Sequence, residues 1–465
     1  MTARDQAQAK LTLTALLGAV ARRAPETPAL IYGARRVGFA ELDGLSRRVA
    51  QGLAELGVGA GDRVALWLPN VPAWFTLYLA CARLGAIAVA VNTRFKSAEV
   101  EDLVGRSGAK VLALMPGFKA IDFAAILDAV DGAALEGLET VIVCDEEGSA
   151  AAPGPGLGRR VVRYADLESR PPHERDRARP EAGCAIFTTS GTTKAPKLVL
   201  HSQAAVVAHA RQVARAFGYD ADDAVMLQAL PLCGVFGFCQ AMASLASGRP
   251  MVLMPSFEPE SAARLVHEHR VTHSNGSDDM FQRLLATGAG PRPFPSLRLA
   301  GFADFNPALD DIVGQAEGRG LTLVGLYGMS EVQALFARQK VDAEAGQRAR
   351  AGGFPVAPEA EVRVREPESG ALLGPGENGE LELKGPSRMV GYYGDPQATA
   401  EALTEDGFVR SGDLGHIASD GSFVFLSRMG DVLRLGGFLV SPAEIETFIQ
   451  AHGSVDGCQV VGVTP

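Results

Sequence analysis

Cysteine pairs, a long uninterrupted apolar run and an excess of positive charge are all missing from this sequence of 465 residues. The six cysteines, Cys81, Cys144, Cys184, Cys233, Cys239 and Cys458, form no C-x-x-C pair and no zinc spacing. A chain this long needs no disulfide staples, so a reduced, cytoplasmic setting is expected, with each thiol a small buried hydrophobe. Lysine and arginine number 44 against 54 acidic residues, a formal charge of −10. That balance speaks against a general nucleic-acid binder, which concentrates cations on one face. It leaves room for a local loop that holds a nucleotide's phosphates. The first ten residues are polar and mixed in charge, unlike a signal peptide. The longest apolar stretch, residues 73–91, is interrupted by Arg83 and Gly85. It reads as a helix, a turn and a buried strand rather than as a membrane span.

What is present is material for a large core. Hydrophobic residues make up 47% of the chain and charged residues 21%, an ordinary globular balance, and the length implies more than one folding unit. Residues 39–56 carry apolar side chains at helical spacing and end at Gly57. Short apolar strands follow at 63–68, 87–91, 111–115 and 141–144, separated by helical patterns. This β-α rhythm predicts a parallel sheet covered by helices. Residues 148–158 and 170–180 are rich in Pro, Gly, Ala or charge and read as surface loops. Alternation resumes to about Leu335. From Ala360 short, turn-bounded strands predict a small β subdomain, and Ser441-Pro442 predicts the start of a last helix. The fold class expected is α/β: a large N-terminal domain of parallel and mixed sheets flanked by helices, with the small β subdomain.

One segment concentrates phosphate-binding chemistry. Thr188-Thr189-Ser190-Gly191-Thr192-Thr193-Lys194-Ala195-Pro196-Lys197 follows an apolar strand and precedes a predicted helix. Hydroxyls and backbone N–H groups donate to phosphate oxygens, a glycine permits close approach, and a lysine supplies charge. The glycine spacing is not that of the common NTPase loop, and taken alone the stretch reads equally as a polar surface turn.

Further segments follow in order: Leu326-Tyr327-Gly328-Met329-Ser330-Glu331, Arg410-Ser411-Gly412-Asp413-Leu414-Gly415, Ser427-Arg428-Met429-Gly430-Asp431, and Glu444-Ile445-Glu446. The lead-in Gly391-Tyr392-Tyr393-Gly394-Asp395-Pro396 fits the same pattern. This succession resembles the adenylate-forming superfamily of acyl-CoA synthetases, peptide-synthetase adenylation domains and luciferases, from about Thr12 to the last residue. The resemblance implies an acid activated by ATP as an acyl-adenylate with release of pyrophosphate, and then transferred to coenzyme A. It implies that Thr189, Ser190, Gly191, Thr192, Thr193 and Lys197 hold the β- and γ-phosphates. Gly301 and Ala303 would line the adenine pocket, Tyr327 and Gly328 would meet adenine, and Ser330 would approach the α-phosphate. Glu331 would ligate Mg²⁺, and Asp413 would accept the ribose hydroxyls with Arg428 nearby. Thr193, Lys197, Ser330 and Glu331 form the implied catalytic set. Residues 1–428 would be the adenylate-forming domain, and residues 429–465 the beginning of a small α+β C-terminal domain. Such domains normally continue to a catalytic lysine that is not encoded before Pro465, so a truncated chain is expected.

The departures from the pattern are informative. Lys194 and Leu198 stand where the family usually has glycine, and Gly430 stands at the hinge. The segment around the acid pocket reads Pro231-Leu232-Cys233-Gly234-Val235-Phe236-Gly237, with Gly234 in place of a bulky histidine. Residues 273–279 are polar where an apolar run is usual, and burying such groups unpartnered costs roughly 1–3 kcal/mol each. Gly234, His273, Asn275, Gly276 and Asp278 are the expected acid-pocket residues; Ser277 and Asp278 are also good helix caps, and for His273 and Asn275 facing solvent or capping a helix is as good a reading as the pocket. A compact or ring-shaped acid with a polar substituent is expected, and no nucleic acid or membrane span. A homodimer is a further expectation. The alternatives are an adenylating enzyme without a coenzyme A step, loading a carrier protein or activating a small oxyanion such as nitrite, and a non-catalytic nucleotide-binding relative.

Overall fold

The computed structural model describes residues 12–145, 158–189, 196–304, 309, 311–429, 433–435, 438–440, 445–446, 449–450, 452, 455 and 458–460. Two large sheets organise these residues, one of 13 strands and one of eight. The smaller sheet is parallel through the strands Arg63–Trp67, Ile87–Ala90, Val111–Leu114 and Thr140–Val143, as the β-α rhythm predicts. The larger sheet is parallel through Met226–Gln228, His273–Ser277, Leu299–Ala303 and Thr322–Met329, and turns antiparallel beyond.

The stretch 73–91 is resolved as expected. Helix Pro72–Leu84 opens with proline in its first turn, buries every residue, and ends at Gly85 in the left-handed conformation. A helix that is apolar all round must be surrounded. Trp74, Phe75 and Tyr78 join a core that takes residues from both sheets. Its one charge, Arg83, is matched by Asp43 and by the Ser46 hydroxyl. The six thiols are unpaired, and burial pushes those of Cys81 and Cys184 up to about 12. No helix among the described residues is long and apolar enough to cross a membrane.

One expectation changes. The phosphate-type loop is followed by a strand, not by a helix: Gly183–Thr188 and Leu198–Ser202 form an antiparallel hairpin, and helix Gln203–Phe217 begins only afterwards, capped by Ser202. The strands after Ala360 form the expected small β subdomain, joined to the larger sheet. Glu361–Arg365, Gly379–Lys384, Val409–Ile417 and Phe423–Arg428 continue the 13-stranded sheet through Gly352–Pro355. They keep a core cluster of their own around Phe336, Leu381 and Phe423. Gly352 makes the join: its φ is 118°, and a Cβ there would lie 2.2 Å from the Phe423 carbonyl oxygen. Of the predicted last helix, Ser441–Glu444 lie outside the described residues.

Candidate functional site

The described polar groups gather around the end of the 322–329 strand, which meets the hairpin through Ser330 and His201 and the 409–417 strand through Tyr327 and Asp413. Ser190, Gly191, Thr192, Thr193, Lys194 and the hinge pair Gly430-Asp431 lie outside the described residues. The base of the loop is described. Thr189 and Lys197 close it with two hydrogen bonds: Thr189 N donates to the Lys197 carbonyl at 3.1 Å, and Lys197 N donates to Thr189 Oγ1 at 3.1 Å. Arg106 donates to the Pro196 carbonyl at 2.6 Å and fastens the same end to a neighbouring helix. The Lys197 ammonium lies 4.6 Å from the centre of the Tyr392 ring.

Tyr327 and Gly328 end the long strand Thr322–Met329, and Ser330 and Glu331 form a single 3-10 turn after it. The chain then folds back through two non-glycine residues with positive φ, Gln333 at 64° and Leu335 at 63°. That return runs directly over Gly328, where a Cβ would lie 2.6 Å from Ala334 Cα. Only glycine fits. Two neutral histidines hold the return: His201 Nε2–H donates to the Ser330 carbonyl and His209 Nε2–H to the Ala334 carbonyl, each at 2.7 Å. Burial pushes both imidazoles down to about 4, so they stay uncharged at neutral pH.

Glu331 is buried, and its Oε1 accepts from the Tyr392 hydroxyl at 2.8 Å. No group of three metal-ligating side chains occurs among the described residues. A cation here would be held by one carboxylate and the oxygens of a nucleotide, which suits Mg²⁺. The residues present fit such an ion.

Asp413 and Arg428 face each other across two antiparallel strands. Arg428 Nη1 stands 3.0 Å from Asp413 Oδ1, in ion-pair contact but not aligned for a hydrogen bond. Tyr327 donates its hydroxyl to Asp413 Oδ2 at 2.6 Å, and its ring packs edge-on against Phe423. Burial pushes the Asp413 carboxyl up to about 6, against the downward pull of Arg428 and the Tyr327 hydroxyl. A buried carboxylate oxygen without a hydrogen bond is costly unless a ligand donor meets it.

The acid-pocket residues divide. Gly234 is the exposed N-cap of helix Val235–Ser247, with φ −99° and ψ 142°. A Cβ there would meet only the Pro231 carbonyl oxygen, at 3.6 Å. The loop before it is held by Asn70, which donates to the Leu230 carbonyl and accepts from Leu232 N. Gly276 and Asp278 sit at the C-terminal end of His273–Ser277, the end of parallel strands where ligands bind in open α/β sheets. Asp278 is buried, and its hydrogen bond and charge help push neighbouring Asp304 up to about 6, after burial. Ser277 is the helix cap, accepting from Met280 N at 3.2 Å.

His273 is displaced from the expected place. It begins the strand, so about 13 Å of extended chain separates it from the Ser277 end. There it bonds Thr272 Oγ1 at 2.7 Å and packs against Tyr219. Asn275 is fully buried and already engaged: Gly301 N donates to its Oδ1 at 3.0 Å, and its Nδ2 donates to the Tyr219 hydroxyl at 2.9 Å. Its own N–H donates to Gln240 Oε1 at 2.7 Å. Asn275 thus braces Gly301 from the neighbouring strand, where a Cβ would lie 2.6 Å from the asparagine oxygen. Ala303 ends that strand. Sequence reasoning missed Tyr392, His201, Tyr219 and Gln240; only Tyr392 carried a signal, as part of the 391–396 lead-in.

The family model described as "AMP-binding enzyme" matches residues 17–393. A feruloyl-CoA synthase of Amycolatopsis sp is 31% identical over 454 residues, covering 95% of this chain and 84% of that protein. Among solved structures, MatB of Rhodopseudomonas palustris bound to ATP superposes with a TM-score of 0.82 and 26% identity, covering 97% of this chain and 86% of that one. The o-succinylbenzoate coenzyme A synthetase of Bacillus subtilis in complex with AMP gives a TM-score of 0.81 and 25% identity, covering 98% and 86%.

Proposed function

Because the chain belongs to the AMP-binding enzyme family, we infer that it is an acid–thiol ligase that joins a compact carboxylic acid to coenzyme A. In the first half-reaction a carboxylate oxygen attacks the α-phosphorus of ATP, the bond to the bridging oxygen breaks, and pyrophosphate leaves. In the second the thiol sulfur attacks the acyl carbon and gives up its proton to solvent, and AMP leaves with the electron pair of the broken bond. The protein contributes position and charge stabilisation.

The observation that carries this reading is a pair of clusters, Tyr327–Asp413–Arg428 and Lys197–Tyr392–Glu331, in each of which a buried carboxylate and a buried tyrosine stand beside an exposed cation. Asp413 accepts from the ribose hydroxyls, and its Oδ1 without a hydrogen bond supports that role. Tyr327 orients the carboxylate and packs under the nucleoside beside Gly301 and Ala303. Lys197, with Thr189 and the Ser190–Thr193 stretch, binds the β- and γ-phosphates, and Ser330 approaches the α-phosphate. Glu331 holds Mg²⁺, which neutralises charge between phosphates. Residues 1–428 form the body that carries these groups, and residues 429–465 belong to a second unit. A cytoplasmic setting belongs to the same proposal, supported by six cysteines that form no disulfide.

For the acid, the pocket is proposed between Gly234 and the strand end at Gly276 and Asp278. The absence of bulk at Gly234 and the polarity of Asp278 support a ring-bearing acid with a hydrogen-bonding substituent. The relatives named for feruloyl and o-succinylbenzoyl groups, both ring-bearing acids, support it too. The test is pyrophosphate release across polar aryl, plain aryl, short-chain and long-chain acids, with and without coenzyme A. Ferulate-like acids should lead, and an acyl thioester should form only with coenzyme A. Adenylate that never transfers to coenzyme A would favour an adenylating enzyme that uses another acceptor. A lead for long unbranched fatty acids would overturn the pocket reading.

A further inference from the structure

The residue pair Gly391–Tyr392 forms a short edge strand antiparallel to Leu198–Ser202, with Tyr392 opposite Val199. The pairing extends on both sides: Val390 N donates to the Leu200 carbonyl at 2.8 Å and Tyr393 N to the Leu198 carbonyl at 2.7 Å. One residue further back, Met389 N donates to the Glu331 carbonyl at 2.7 Å. Five consecutive residues thus fasten the backbone next to Lys197 and the backbone of Glu331 to each other. The Tyr392 side chain does the same for the side chains, with its hydroxyl 2.8 Å from Glu331 Oε1 and its ring under the Lys197 ammonium.

We propose that Tyr392 is a positioning residue that holds Glu331 and Lys197 in place and keeps the two opposite charges from pairing with each other. This rests on the reading of Glu331 as the metal carboxylate and Lys197 as the phosphate lysine. Glu331 is buried and Lys197 reaches solvent, and opposite charges held this near one another attract and pair directly unless other partners engage them. A direct Lys197–Glu331 pair would neutralise the ammonium needed for phosphate and the carboxylate needed for the cation. Among the described residues neither side chain forms an ion pair; each meets the tyrosine instead. A tyrosine suits both, because its ring face attracts a cation and its hydroxyl donates a charge-assisted bond to an anion. A packing role alone is the competing account, since Tyr392 also joins a small core with Val199, Met389 and Ala398. That account predicts no dependence on magnesium.

The experiment is calorimetric titration of ATP at a series of Mg²⁺ concentrations, without acid or coenzyme A, alongside urea unfolding. The proteins are the full chain, Tyr392→Phe, Tyr392→Leu, Glu331→Gln and the double variant Tyr392→Phe/Glu331→Gln. Tyr392→Phe should raise the half-saturating Mg²⁺ concentration about tenfold or more, the scale of a lost hydrogen bond to a charged group, and leave magnesium-free ATP affinity unchanged. Tyr392→Leu should in addition weaken magnesium-free ATP binding about threefold to tenfold, because the ammonium loses the ring. On the Glu331→Gln background, Tyr392→Phe should produce no further magnesium shift. An unchanged magnesium requirement in Tyr392→Phe, with Glu331→Gln shifted, would leave Tyr392 as packing and overturn the inference alone. No shift in Glu331→Gln would instead remove Glu331 from the metal site and take both readings with it. Should Tyr392→Leu fail to fold, the phenylalanine variant and the double variant still decide.

Discussion

Replacing Asp413 with asparagine separates what the site needs from what the fold prefers. The carboxyl is 2% exposed, and its pKa is raised to about 6, chiefly by burial, with Glu331 and Glu380 adding to the rise and Arg428 and the Tyr327 hydroxyl opposing it. If the ionised form accepts the ribose hydroxyls, ATP affinity should rise with pH up to about 6 and then level off. At pH 5 about one molecule in ten carries the carboxylate, so ATP should bind about tenfold more weakly than at pH 8. Asp413→Asn loses the charge-assisted bonds and should bind ATP about tenfold to a hundredfold more weakly at pH 8, and without that pH dependence. Stability should move the other way. The folded pKa lies above the unfolded value of 3.8, so the folded state binds more protons between these values. Asp413 therefore destabilises the fold increasingly as pH rises from about 4 to 6, by up to about 3 kcal/mol above that window. Asparagine still accepts from Tyr327 and carries no charge to desolvate, so the variant should need more urea to unfold at pH 7. Calorimetry at pH 5, 6, 7 and 8 for both proteins, with the difference between them cancelling the titration of ATP itself, reads the first effect. Urea melts at pH 7 read the second. Equal pH profiles in the two proteins would remove Asp413 from the ribose site, and a less stable asparagine variant would refute burial as the dominant cause of its shift.

Three further outcomes follow from the same geometry. His201, His209 and His273 are each pushed down to about 4 by burial, below the unfolded value of 6.5. The unfolded chain binds more protons between those values, so stability should fall as pH drops from about 6.5 toward 4; a urea midpoint that does not decline between pH 7 and 5 would contradict this. Asn275→Leu removes the partners of Gly301 N and the Tyr219 hydroxyl, and should destabilise by about 1–3 kcal/mol per orphaned group in urea rather than simply switch acid preference. Gly234 has a φ that any residue adopts and open space at Cβ, so Gly234→His should fold normally and lower kcat/KM for aryl acids more than for small ones. An unchanged ratio between the two classes of acid would place Gly234 outside the pocket.

Local chemistry made part of this legible. The apolar run at 72–84 is bounded by Pro72 and Gly85, whose effects on a helix end are local, so its limits could be read directly. The Tyr327, Glu331, Asp413 and Arg428 motifs are short and their residue types follow from their chemistry. The hairpin was not legible. Leu198–Ser202 is five residues long, and what makes it a strand is pairing with Gly183–Thr188 on one side and with Gly391–Tyr392, almost two hundred positions away, on the other. Without those partners, the helix that begins at Gln203 dominates the local pattern.

The amino-acid sequence by itself determined the α/β class, the order of the motifs at 188–197, 326–331 and 410–415, and the polar character of residues 273–279. Tertiary structure alone decided which of those polar residues are spoken for. His273 and Asn275 look available in sequence because Thr272, Tyr219, Gln240 and Gly301, which satisfy them, come mostly from other strands and helices. Tyr392 looks like filler for the converse reason: its partners, Lys197 and Glu331, are brought to it only by the pairing of an edge strand. A side chain's type is written in the chain, but whether its hydrogen bonds are already made depends on neighbours distant in sequence, and only folding supplies them.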